Sequence, residues 1–304
     1  MIDVVPSAAL ADSSKQLVVV TGGAGHVGSH LVELLLTRPG NRVISLDNYF
    51  SGHRANHIAG AEYREGHTKD ITRLVPETPD IVYHMGEYAR ITPSFEDVAT
   101  VFDMNTVGTF AVLEFCRTRG VKKLVYTGSS TRFATEGDGR HQNPYSFSKA
   151  VNVDLVKDYG HWYKLPYAIC YLSNGFGPRE QADGRYATLI AKFERLYLAG
   201  QPLTVSKPGT QLRAFTYVAD LARGIEMVGM HGAGDGYMLG VEKKYSVLDI
   251  GRAFGGEVIM TDDYPGRKDT LLDFTRTKEL GWEASVDVMD YIHNFVREHS
   301  PTQI

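Results

Sequence analysis

Tyr145 and Lys149 stand four residues apart in the stretch NPYSFSKA, just behind Pro144. On a helix, that spacing brings two side chains onto one face. A free tyrosine has a pKa of about 10, too high for a base at neutral pH. A neighbouring ammonium lowers it. The phenolate can then take the proton of an alcohol while hydride leaves to a cofactor. The spacing alone is weak: with 17 tyrosines in the chain, about one such match is expected by chance. A second, Tyr264 to Lys268 in YPGRK, does occur. Pro265 and Gly266 lie inside it and oppose a helix, so only the first pair has usable geometry.

A hydroxyl is placed to join the pair. The run KKLVYTGS reads as a strand ending at Ser129, followed by Ser130 and Thr131. In an open α/β sheet, ligands bind beyond the carboxyl ends of the strands. Ser129, Tyr145 and Lys149 would therefore converge on one site.

The cofactor end is read from VTGGAGHVGSH, Val20 to His30. Gly23, Gly25 and Gly28 satisfy G-x-G-x-x-G, and Gly22, Gly25 and Gly28 satisfy G-x-x-G-x-x-G. The stretch leaves a predicted strand and opens a predicted helix, the context that gives the motif meaning. Glycines let the backbone approach a pyrophosphate, and the helix start offers free N–H groups to it. His26 and Val27 sit inside that turn. The next strand ends in SLDNYFSG, which puts Asp47 where an acid accepts both adenosine ribose hydroxyls. A carboxylate there would repel a 2′-phosphate, so NAD is favoured over NADP. His26 and His30 are four apart, but no third ligand is near in sequence, and no metal is expected.

These groups need a frame that alternates strand and helix. Strands are predicted at 17–20, 42–46, 61–65, 80–85, 122–129 and 167–173, from apolar runs of strand length. Helices are predicted at 27–37, 95–120 (ending at a Gly120 C-cap), 145–163 and near 185–199. Strict alternation implies a doubly wound parallel sheet covered on both faces. After residue 174 the rhythm loosens into a smaller mixed α/β lobe that the chain enters more than once.

Bulk properties exclude several classes. The 304 residues carry a net charge of −4 with both signs interspersed, and no basic stripe offers itself to nucleic acid or an anionic membrane. No apolar run approaches the roughly 20 residues of a membrane span. Residues 1–15 lack a basic start and a sustained apolar stretch, so they read as a short flexible extension rather than a secretory signal. Cys116 and Cys170 sit in apolar patterns and read as buried thiols, in keeping with a reducing cytoplasm.

With these motifs in order, the chain resembles the extended short-chain dehydrogenases/reductases, and within them the nucleotide-sugar epimerase/dehydratase group. TGGAGHVGSHL, LDNYFSG, NTVGTFAVLEFCR, GSS, PYSFSKA, SNGFGPRE, QLRAFTYVADLARGI and KELGW carry the resemblance, from about residue 16 nearly to the end. It implies a Rossmann-type NAD-binding domain over 16–173, with later returns near 214–240, and a mainly substrate-binding lobe over 174–304. It also implies that Gly22, Gly25 and Gly28 hold the pyrophosphate and Asp47 the ribose. Asn48 and His84 would line the cofactor groove, and Asn105 would order the site from the long helix. Ser129 would be the catalytic hydroxyl, with Ser130 as second choice, Tyr145 the base and Lys149 its partner. Asn174, Arg213 and Arg267 would grip a sugar diphosphate, a task that suits guanidinium groups.

The chain also departs from that pattern. His67 stands where Asp is frequent, Ala214 follows Arg213 where Asp is frequent, and Met238 replaces a frequent Asn. Glu87 and Tyr88 occupy positions where small residues are common, and are expected to reshape the substrate pocket beside the nicotinamide. Ser129 and Tyr145 are separated by only 15 residues, so the intervening loop must be compact.

Ser130, Thr131 and Arg132 follow Ser129 with no carboxylate among them. Dehydration needs a general acid, so the dehydratase and decarboxylase options recede. A nucleotide-sugar 4-epimerase working through a transient 4-keto sugar is the first expectation. LDNYFSG resembles the matching segment of UDP-sugar 4-epimerases, which favours a UDP-sugar over a GDP- or dTDP-sugar. A nucleotide-sugar 4-dehydrogenase or 4-ketoreductase is the alternative, and a non-catalytic NAD-binding sensor the third. The resemblance further implies a homodimer paired through the 95–120 and 145–163 helices.

Overall fold

A computed structural model describes residues 16–133, 139–262 and 272–300. Short, mostly apolar runs form strands β1 (Leu17–Thr21), β2 (Arg42–Asp47), β4 (Ile81–His84), β5 (Lys123–Ser129) and β6 (Tyr167–Leu172), and the charged run EYRE forms β3 (Glu62–Glu65) at the sheet edge. Amphipathic runs between them form α1 (His26–Leu36), α2 (Ile71–Leu74), α3 (Val98–Val101), α4 (Gly108–Arg119) and α5 (Pro144–Tyr163). The remaining strands are β7 (Asn174–Phe176), β8 (Leu203–Ser206), β9 (Leu212–Arg213), β10 (Phe215–Tyr217), β11 (Gly234–Leu239), β12 (Tyr245–Ser246) and β13 (Val258–Thr261). Helices α6 (Leu189–Leu198), α7 (Val218–His231), α8 (Val247–Ala253), α9 (Thr275–Glu279) and α10 (Val288–His299) complete the described chain.

The main sheet has seven parallel strands in the order β11-β6-β5-β4-β1-β2-β3. Its central strands read as near-continuous apolar runs because both faces are covered. Period-two geometry divides their side chains between two cores. In β1, Val19 joins a core with Leu124, Tyr126, Val112 and Val156. Val18 and Val20 join the opposite core with Leu31, Val125, Leu221 and Trp282. Helix α7 closes that second face, and β11 extends the sheet beyond β6.

A third core, around Phe176, Phe193, Phe254 and Ile292, belongs to the later part of the chain. The pairs β7–β10 and β8–β13 are parallel there, and β9–β12 is antiparallel. Both cysteines are buried and free. Among the described residues no helix is long and apolar enough to cross a membrane.

The helix expected over 95–120 is not continuous. A π-helical turn, Phe102–Val107, separates α3 from α4, and Gly120 ends α4 in the left-handed region at φ 66°. The wide turn carries Asn105, whose side chain binds both backbone groups of Tyr88 and whose carbonyl accepts from Asn152. Such turns concentrate at functional sites. Helix α6 likewise starts later than expected, at Leu189, behind Thr188.

Candidate active site

Strand order reverses between β1 and β4, and a groove opens beyond their carboxyl ends, where α/β sheets bind ligands. Its cavity measures about 810 Å³ and takes walls from both lobes. One end is built from the glycine turn. Gly22 lies at φ 75°, and an ideal Cβ on it would stand 2.9 Å from the backbone of Gly86. A Cβ on Gly28 would fall 2.0 Å from the carbonyl oxygen of Gly22. Gly25 caps α1, so the N–H groups of the first turn, His26 to Gly28, are available to an anion. Burial holds the His26 imidazole near pKa 3, hence neutral, and its Nε2 has no hydrogen-bond partner. His30 bonds to the carbonyl of Pro178. Among the described residues no group of three or more His, Cys, Asp or Glu could hold a metal ion.

Asp47 ends β2 at the same groove. Its Oδ2 accepts from the N–H of Ala24 at 2.9 Å, and its Oδ1 from that of Tyr49 at 2.8 Å. Burial pushes the carboxyl up, while these two N–H groups pull it down. Each oxygen keeps a lone pair for a further donor, such as a ribose hydroxyl. Asn48 lines the groove beside it. A closely approached glycine turn, a helix start and an acid at the tip of β2 fit a dinucleotide.

The other end carries Ser129, Tyr145 and Lys149, the candidate proton-transfer groups. Ser129 closes β5, and its Oγ accepts from the hydroxyl of Thr131 at 3.0 Å. That leaves its own proton to give. Asn143 caps α5 by accepting from the N–H of Ser146 at 2.8 Å, with Pro144 in the first turn. This start places Tyr145 and Lys149 one turn apart, and both line the groove with Ser129, Ser130 and Thr131. The Lys149 ammonium donates to the carbonyl of Thr127 at 2.5 Å and to the Glu87 carboxylate. It also lies 4.7 Å from the ring centroid of Tyr126.

Some expected groove residues stand elsewhere. His84 is fully buried behind the wall, bonded to Thr21 at 2.8 Å and Thr109 at 2.9 Å. Asn105 is likewise sealed and acts on the wall through Tyr88. Glu87 does border the groove, but its carboxylate is turned to Lys149. Tyr88 sends its hydroxyl to Asp97 at 2.8 Å and packs against Phe50 and Tyr186. The reason is shared: Thr21 Oγ1 takes the N–H groups of Met85 and Gly86, and Asn105 takes that of Tyr88. The segment after β4 is thereby pinned, and its side chains point where that pinning sends them.

Asn174 and Arg213 line the groove on β7 and β9, and Asn174 donates to the carbonyl of Ala214 at 2.7 Å. Arg267, along with the pair Tyr264 and Lys268, lies outside the described residues. Sequence reasoning missed Arg90, Glu180 and Lys192, which also line the groove. Arg90 donates to the carbonyl of Tyr186 at 2.6 Å and lies within electrostatic reach of Tyr145 and Glu180. Its only signal in sequence is a charge six residues past His84. Met238 is buried in the core of the main sheet.

Residues 18–240 match the pattern of the NAD dependent epimerase/dehydratase family. UDP-glucuronic acid decarboxylase 6 of Arabidopsis thaliana is 30% identical, across 91% of this chain and 87% of its own. The UDP-glucose 4-epimerase of Mycolicibacterium smegmatis is 29% identical, across 90% of this chain and 95% of its own. Among solved structures, the Thermus thermophilus UDP-glucose 4-epimerase in complex with NAD is similar at a TM-score of 0.83 and 27% identity. The likeness covers 94% of this chain and 99% of that one.

Proposed function

The chain belongs to the NAD dependent epimerase/dehydratase family, and from that premise we propose that it is a nucleotide-sugar 4-epimerase. The carrying observation is the groove's chemistry: Ser129, Tyr145 and Lys149 share one wall, and Ser130, Thr131 and Arg132 supply no carboxylate after them. Of the carboxylates that border the groove, Glu87 is engaged with Lys149. Glu180 also borders the groove, but it lies outside the stretch that follows Ser129, and oxidation at C4 needs only a base and a hydrogen-bond donor.

Gly22, Gly25, His26, Val27 and Gly28 would hold the pyrophosphate of NAD, and Asp47 its ribose. NAD held there would supply the hydride acceptor for oxidation at the sugar C4 and the donor for its re-reduction. Tyr145 takes the proton of the 4-hydroxyl and later gives one back. Ser129 donates to the same oxygen and holds it in line with the phenol. Asn174, Arg213 and Lys192 orient the nucleotide diphosphate, so that the groove's later lobe acts as the substrate lobe. The UDP-sugar activities for which the relatives are named support a UDP-sugar.

We further propose a homodimer in the cytoplasm. Val107 in the π-helical turn, Phe110 on α4 and Phe147 on α5 are each exposed, with Phe102 6.0 Å from Phe147 between ring centroids. An aromatic patch of this kind marks a protein contact.

The test is incubation of the purified protein, without added cofactor, with UDP-, GDP- and dTDP-sugars, followed by NMR. A stereoisomer formed with no net NADH supports the epimerase and names its sugar. A keto sugar formed only with added NAD moves the chain to the 4-dehydrogenases. No conversion across the panel favours a non-catalytic NAD-binding role.

A further inference from the structure

We infer that Glu87 is a positioning residue of the proton-transfer pair, the fixed counter-ion that orients the Lys149 ammonium and sets the charge next to Tyr145. The inference rests on the base role given above to Tyr145. Both side chains are nearly sealed, at 2% exposure for Glu87 and 8% for Lys149.

The hydrogen bonds around Glu87 run one way. Its Oε1 accepts from Asn152 at 2.8 Å, Tyr126 at 3.0 Å and Thr109 at 3.1 Å, and its Oε2 accepts from Lys149. Thr109 has one proton and gives it to Glu87, so its contact with His84 must be made by an Nε2–H of that ring. His84 Nδ1 then accepts from the hydroxyl of Thr21, which itself accepts from two backbone N–H groups. Every neighbour of Glu87 donates to it, an arrangement that suits a carboxylate. Burial keeps His84 near pKa 4, hence neutral, and the cluster's charges are those of Glu87 and Lys149.

An ammonium has three N–H groups. Glu87 and the Thr127 carbonyl take two of them. One remains for the groove that Lys149 lines. The carboxylate thus fixes where the cation points and also offsets its charge. The groups facing Glu87 are Tyr126 from β5, Thr109 from α4, Asn152 and Lys149 from α5, with His84 behind Thr109. On the groove side, Tyr145 stands one helical turn from Lys149 and within electrostatic reach of Arg90 and Tyr126. Removing the anion leaves the Lys149 ammonium uncompensated near the phenol, which favours its deprotonated form.

The test is Glu87→Gln, with kcat/KM followed against pH and with thermal stability followed through the cycle Glu87→Gln, Lys149→Met and the double variant. The acid limb of the profile is expected to move to lower pH, because the cation beside the phenol loses its counter-charge, while KM for the sugar changes little. Lys149→Met should lower the melting temperature, because it leaves a buried unpaired carboxylate, and the added Glu87→Gln should restore much of the loss. An unmoved acid limb in an active enzyme overturns the inference and leaves the epimerase reading standing. Additive stability changes overturn it whether or not a substrate is found. A wild-type protein that converts no nucleotide sugar sinks the epimerase reading instead, and the stability cycle still decides the charge pairing.

Discussion

Gly22 and Gly86 meet backbone to backbone at the point where the sheet reverses its order. A Cβ on Gly22 would stand 2.9 Å from the Cα of Gly86, and one on Gly86 would stand 3.0 Å from the nitrogen of Gly22. Gly22 is also at φ 75°. Gly22→Ala therefore combines a left-handed strain with a clash against backbone that cannot yield. A loss of about 1–3 kcal/mol of stability is expected, together with weakened NAD binding. Thermal melts and NAD titration by calorimetry check both, and wild-type affinity in the variant would contradict the cradle.

Tyr145→Phe removes one oxygen and keeps the ring against Tyr88, Val101 and Met104. Sugar conversion should fall by about 10²–10⁴-fold, the usual weight of a general base. NAD binding should persist, because the glycine turn and Asp47 are untouched. Conversion at wild-type rate would remove Tyr145 from the mechanism.

Phe110 is 50% exposed and Phe147 37% exposed. If they pair two copies, Phe110→Asp with Phe147→Asp should halve the mass seen by light scattering at working concentration. The fold should survive, since neither side chain belongs to a buried core. A wild-type protein that is already monomeric would argue against the pairing.

Burial is the main cause that lifts the Glu180 carboxyl from its ordinary 4.5 to about 7, while Thr188 and the N–H of Gly177 pull the other way. The folded chain then binds more protons than the unfolded chain between those values. Stability consequently falls as pH rises from about 4.5 to 7 and stays low above it. Glu180→Gln removes this loss. Its melting temperature should exceed that of the wild type by about 2–4 °C at pH 8, and the gap should close below pH 4.5. A gap that is constant with pH would mean that Glu180 titrates normally.

Much of the site is legible in local signals of the chain. The strand–glycine–helix run of VTGGAGHVGSH, the acid ending SLD and the Tyr145–Lys149 spacing each depend on near neighbours, so sequence alone reveals them. Glu87 shows in the sequence only as an unusual residue, and its position suggests the substrate side. Which way a side chain leaves a loop depends on what pins its backbone, and here the pins are Thr21 and Asn105, 66 residues before and 18 after it. Arg90 and Glu180 escape sequence reasoning for the same reason. They border the groove from segments 90 residues apart, and no periodicity links them.

By itself, the sequence determined the alternating α/β frame and the dinucleotide turn and singled out the proposed proton-transfer pair, because each rests on period, turn chemistry or short spacing. Only the tertiary structure decided the charge around that pair. The Lys149 ammonium is neutralised by a carboxylate 62 residues away, inside a cluster drawn from the segment after β4, strand β5 and two helices. Such a contact exists only once the sheet has stacked those elements and excluded the water that would otherwise screen it.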